Sequence, residues 1–222
     1  MLDRTLAPPV QPLEPAVLLS PERYTLAGVP VFVFKAGEQP VIKVEWVFQA
    51  GKTRESAPGA AFLVAQLIKG GTASQTVRDI AEKLAQYGAS LAVTPHLDYT
   101  SYTLTTLTKF ADELIPWVTS LFWEATFPAE EVERQRAKKE QAIKIDLEKT
   151  SYQATVELRK AVFGNRHAYG RPLVLEEVQS LTVSELKAHH TQYHRNGLQV
   201  FLSGQVSETV SDCTSSKTKG RP

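Results

Sequence analysis

The chain has 222 residues, 42% hydrophobic and 22% charged, with 25 basic side chains against 24 acidic ones for a net charge of +1. Such a composition suits a soluble globular body with a real core, one large domain or two small ones, and the charge balance gives no reason to expect a nucleic acid or an anionic membrane as partner. The one cysteine, Cys213, excludes an intrachain disulfide, no apolar run approaches the roughly 20 residues of a membrane span, and the N-terminus lacks the basic start and apolar core of a secretory signal; the cytoplasm is the expected compartment, and a periplasm needs no disulfide either.

In chain order, residues 1–21 carry Pro8, Pro9, Pro12, Pro15 and Pro21, and proline's fixed φ and missing donor predict an extended arm. Residues 24–34 read as a strand interrupted by a turn at Ala27-Gly28. Residues 41–48 read as a second strand with Lys43 and Glu45 on its more polar face. An apolar stretch then runs from Gly59 to Ile68, entered through Pro58 and closed by Gly70-Gly71, which predicts a buried helix over 58–69. Val77, Ile80, Ala81, Leu84 and Tyr87 recur at helical spacing and stop at Gly88. Residues 90–106, rich in Thr, Tyr and Val, predict one long strand with a break or bulge at Pro95-His96.

Residues 110–123 form an amphipathic helix by the spacing of Phe110, Leu114, Trp117, Val118, Leu121 and Phe122. Pro128 opens the longest helical pattern, about 129–163, acidic first and basic later, as the helix dipole favours, with a break near Thr150-Ser151. Residues 164–172 are a loop. A short helix over 175–179, a longer one over 181–194 and a strand over 198–202 close the body. Residues 207–222 turn polar and predict a frayed tail. The clustering of helices away from the opening strands indicates an α+β fold.

At this point an ordered set of motifs resembles one half-domain of the pitrilysin, insulinase and mitochondrial-processing-peptidase family, zinc peptidases with an inverted H-x-x-E-H motif. Gln49-Ala50-Gly51-Lys52-Thr53-Arg54-Glu55 is similar to the family's glycine-to-glutamate turn after its second strand. Gly59-x-Ala61 and Gly71-Thr72 bracket the helix that carries the family's motif. Gly88-Ala89-Ser90-Leu91-Ala92-Val93-Thr94 resembles its glycine-led strand, and Glu133-Arg134 with Glu140 its charged helix. Phe163-Gly164, His167 and Tyr169-Gly170-Arg171-Pro172 resemble its following loop, and 181–204 its closing helix and strand. The resemblance covers 22–206. It implies a single pitrilysin-type α+β domain, with a mixed, mainly antiparallel sheet and helices packed on it.

What the resemblance does not deliver is the chemistry. The two ligand histidines align with Phe62 and Gln66, the general-base glutamate with Ala65, and the third ligand, a glutamate, with Ile143. A hydrolytic zinc site needs three protein ligands, an open position for water and a base. Phe, Ala and Ile offer no donor atom, and a Gln amide is a poor zinc ligand. The expectation is therefore no metal, no cofactor and no peptidase activity in this chain. In the family, substrate pairs as an added strand beside the zinc helix. That edge maps to Leu91, Ala92, Val93 and Thr94, and edge pairing needs no catalytic group.

Four other features weigh less. His189, His190 and His194 form His-His-x-x-x-His, a spacing able to hold zinc. The plainer reading is an exposed, histidine-rich helix end suited to the dipole, with His190 at a structural histidine of the family. Ser90, Ser101 and His96 lack any G-x-S-x-G elbow, and Gly70-Gly71-Thr72 lacks the phosphate-loop pattern. The charged run 130–140 is a solvated helix face or a partner-contacting one. The reading that follows is a non-catalytic subunit that completes the chamber of an active H-x-x-E-H homologue, as a heterodimer, or pairs as a homodimer, and helps hold a peptide. The alternative is a binding or assembly protein with no peptidase partner, and a third reading is an enzyme with relocated metal chemistry at the histidines of 189–194.

Overall fold

The computed structural model describes residues 19–193 and 197–206. Of the features read from the sequence, the proline-rich stretch 1–18, His194, and the tail 207–222 with Cys213 lie outside those residues.

The chain opens with β1 (Glu22–Leu26) and β2 (Val29–Lys35), an antiparallel pair, followed by β3 (Val41–Phe48). Alternation sets the orientation of β3: Ile42, Val44, Trp46 and Phe48 are buried, while Lys43, Glu45 and Val47 face the other side. Next come α1 (Ala60–Leu67) and α2 (Val77–Gln86). The hydroxyl of Thr76 accepts from the Asp79 N–H, and the Asp79 carboxylate accepts from the Thr76 N–H, a reciprocal cap that starts α2.

Residues 90–106 do not form one strand. They fold into a hairpin, β4 (Ser90–Pro95) and β5 (Thr100–Leu107), in which Pro95 pairs with Thr100 and the His96 N–H donates to the Tyr99 carbonyl at 2.8 Å. Pro95 ends β4 at the sheet margin, where its missing donor breaks no ladder. The helices α3 (Ala111–Glu124), α4 (Ala129–Leu147), α5 (Thr150–Phe163), α6 (Leu175–Ser180) and α7 (Val183–Tyr193) follow, and β6 (Gln199–Gly204) closes the described fold. The break between α4 and α5 falls at Glu148 and Lys149, where Lys149 turns extended.

The six strands run in the order β1-β2-β6-β3-β5-β4. Only β2 and β6 pair parallel; the other neighbours are antiparallel. One face of this sheet meets α2 and α3 in a core built from Ile42, Trp46, Phe48, Tyr102, Leu114, Leu121 and Phe122. Phe122 sits among the rings of Trp46, Phe48 and Tyr102 at centroid separations of 5.4, 5.1 and 4.8 Å. A second core joins α1 to α4 and α7 through Ala60, Leu63, Val64, Leu67, Val132 and Leu186. Burying each such Leu or Val contributes about 2 kcal/mol, and the second core holds α1 against α4 and α7.

Candidate functional site

The site singled out in the sequence is the outer face of α1. Its start is built by Gly59 in the left-handed region at φ 89°, where a Cβ would also press on the Leu173 and Leu181 side chains at 3.2 Å. The Glu55 carboxylate caps the helix: Oε2 accepts the N–H of Gly59 at 3.0 Å and of Ala61 at 3.2 Å. Burial raises the Glu55 pKa above the ordinary carboxylate value, and the two backbone donors and the Lys52 charge offset part of that rise. The loop 164–172 is tied to the residues around this helix start. Lys52 donates to the Arg171 carbonyl, Arg171 pairs with Glu177, and the Tyr169 hydroxyl donates to Asp98.

Along α1 the four sequence positions separate by burial. Phe62 and Gln66 are half-buried on the outer face, whereas Ala65 is fully buried and Ile143, on α4, is 5% exposed. Lys139 precedes Ile143 by one helical turn, and its Nζ lies 4.1 Å from the Phe62 ring centroid. Lys69, just past the end of α1, donates to the Leu91 carbonyl of β4 at 3.1 Å. This contact sets α1 beside β4, the strand at the margin of the sheet. On β4, Leu91 points into the core, Ala92 and Thr94 are exposed and Val93 is half-buried.

Among the described residues the other constellations do not assemble. His189 and His190 are buried, not an exposed helix end: α7 packs against α1 and turns both rings inward. His190 Nε2 lies 2.7 Å from the Phe122 carbonyl, edge-on to the Phe127 ring. Burial lowers the His189 pKa to about 4, against a hydrogen bond with the Ala50 backbone that raises it. Ser101 is buried in β5 and Ser90 exposed on β4, while the His96 ring packs on Tyr99 at 4.3 Å. Among the described residues no group of three His, Cys, Asp or Glu side chains is placed to hold a metal ion. A shallow cleft of about 370 Å³ opens near Val47, Gln49, Asp98, Tyr99 and Gln199, and its single carboxylate is taken by the Thr53 and Tyr169 hydroxyls.

The insulinase family, peptidase family M16, matches residues 33–175, well over half of the chain and the whole of the α1 site. The chain belongs to the M16 family. Solved structures share its fold. An inactive M16 peptidase domain from Pseudomonas fluorescens superposes with a TM-score of 0.82 at 21% identity, covering 90% of this chain and 50% of that one. A protease from Helicobacter pylori gives 0.70 at 18% identity, covering 91% and 51%. The first half of the periplasmic protease PqqL from Escherichia coli gives 0.75 at 15% identity, covering 88% and 44%. The chain thus spans about half the length of these solved structures. Among curated proteins none matches.

Lys139, Lys69 and Glu55 were not singled out by chemistry in the sequence. Glu55 was legible as the end of a motif, but its capping role requires the fold. The lysines are unremarkable until α4 and β4 close on α1. Among the described residues no helix is long and apolar enough to cross a membrane.

Proposed function

We propose that this chain is the non-catalytic half-domain of an M16 assembly, completing the chamber of an active H-x-x-E-H homologue and holding an extended peptide along β4. One observation carries the reading. The helix α1 lies beside the edge strand β4, and the residues that the resemblance aligns with the family's zinc-binding and water-activating positions are Phe62, Ala65, Gln66 and Ile143. These side chains do not fit a zinc ion: three have no donor atom, and nothing at Ala65 can take a proton from water. No hydrolytic step is therefore derived for this chain. What persists is the edge of β4, where main-chain groups of Leu91, Ala92, Val93 and Thr94 would pair with a peptide backbone.

A second observation supports a partner. No residue of α5 is buried, and Leu158 and Val162, one turn apart, are 64% and 63% exposed, with Phe163 beside them. A two-residue apolar stripe on a helix left uncovered among the described residues suits an interface. Because the chain spans half of its solved relatives, the occupant proposed for this face is a second M16 half-domain. The same face would also serve an assembly role without any peptidase. Both are separated by one experiment: the purified chain is mixed with a purified H-x-x-E-H homologue from the same source and run by size exclusion. Co-elution and peptide cleavage that needs both chains support the proposal. Failure to associate, with retained binding to non-peptidase partners, supports the assembly reading.

A further inference from the structure

The surroundings of α1 hold more positive charge than a peptide backbone requires. Lys52, Lys69 and Lys139 are all half-buried around this one helix, at its start, its end and its outer face. Among the described residues none of the three forms an ion pair within 4 Å. Glu55 faces Lys52 and Lys139, but it is already engaged by the backbone of Gly59 and Ala61. Asp146, whose charge favours the Lys139 ammonium, is itself paired with Lys149 at 2.8 Å, and Arg171 adds positive charge beside Lys52. Lys138 adds a further positive charge near Lys69. Removing ammonium groups from water without a counter-ion is costly, so an unmatched set of this kind is poised for an anion that arrives from outside.

We propose that Lys139 and Lys69 form a carboxylate clamp, which selects peptides carrying an Asp or Glu side chain as they pair with β4. The inference rests on the peptide-holding role proposed above and names the chemistry that the site prefers. The two lysines divide the work. Lys139 stands over Phe62, and among the described residues its ammonium has no hydrogen-bond acceptor, so it offers three donors on an apolar floor. Lys69 occupies the Leu91 carbonyl. A peptide strand that takes over this carbonyl displaces the ammonium, which then needs another acceptor. A carboxylate on the same peptide supplies it through a charge-assisted hydrogen bond, roughly twice as strong as a neutral one. Strand pairing and carboxylate capture therefore reinforce each other, and a neutral peptide leaves Lys69 without an acceptor.

The test uses the full chain and fluorescein-labelled decapeptides read by anisotropy. Four peptides carry a single Glu at one of the four central positions, and their four counterparts carry Gln there. At least one Glu peptide is expected to bind about tenfold more tightly than its Gln counterpart, an advantage that shrinks as salt is raised. Lys139→Met should reduce the advantage to below about twofold while leaving the Gln peptide unchanged, and Lys139→Arg should keep most of it. Lys69→Met, at the other end of the strip, gives an independent reading, with thermal melts verifying that each variant folds. Equal binding of all Glu and Gln pairs by the wild-type chain overturns the clamp and leaves peptide holding intact. An acidic preference that survives both Met variants overturns the assignment to these lysines. No binding of any peptide, with or without the H-x-x-E-H homologue, overturns the clamp together with the peptide-holding role.

Discussion

Glu55 anchors the account at the scale of single residues, because one carboxylate oxygen satisfies two of the N–H groups at the start of α1. Glu55→Ala should cost about 1–2 kcal/mol of stability, and Glu55→Gln less, since an amide oxygen still accepts. Urea denaturation of the three proteins checks this; equal midpoints would deny the cap. His189 gives the pH dependence. Its pKa of about 4 in the folded chain lies below the ordinary 6.5, so between those values the unfolded chain binds the extra proton. The stability this histidine supplies is whole above about pH 6.5 and lost as pH falls toward 4, a change on the order of 3 kcal/mol. Glu55 acts in the opposite sense, because its raised pKa makes the folded chain take up its proton first. The informative quantity is therefore the difference between wild type and His189→Gln, which should flatten the acid limb; an unchanged slope would contradict it. The burial of His189 and His190 was not legible in the sequence. Their helix carries polar residues on most of its surface, and only the packing of α7 on α1 turns the two rings inward.

Elements were legible where a single period ran through them. The alternation of β3 and the helical spacing of α2 and α3 predict those elements nearly to the residue, and the break after α4 falls within two residues of its expected place. The β4–β5 hairpin was not. Thr, Tyr and Val continue on both sides of the turn, and His96, Leu97, Asp98 and Tyr99 contain no glycine or asparagine to mark it. At this scale α5 carries the sharpest prediction. Leu158→Glu with Val162→Glu should leave the melting temperature within a degree or two, because neither side chain is buried, yet abolish co-elution with the M16 partner. Retained association would show that another face makes the contact.

The whole molecule depends on pairings that no local pattern announces. β6, last in the described chain, enters between β2 and β3, and this leaves β4 at the margin of the sheet beside α1. Ordered motifs in the sequence identified the M16 frame, and the match over residues 33–175 and the shared fold agree with it. The proposed alignment with the family's zinc-site positions points to Phe62, Ala65, Gln66 and Ile143, but not to the lysines around them. Lys69 and Lys139 belong to separate segments, and only the folded chain brings Lys139 to Phe62 of α1 and Lys69 to Leu91 of β4. The account joins a retained helix and a retained edge to an assembly in which a homologue supplies the zinc and the base. The most direct measurement is zinc content and peptide hydrolysis on one preparation of the purified chain, before and after adding an H-x-x-E-H homologue. The account predicts no bound zinc and no cleavage by the chain alone, with cleavage appearing when the homologue is added beyond what the homologue achieves by itself. One zinc per chain, together with cleavage by the chain alone, would contradict it.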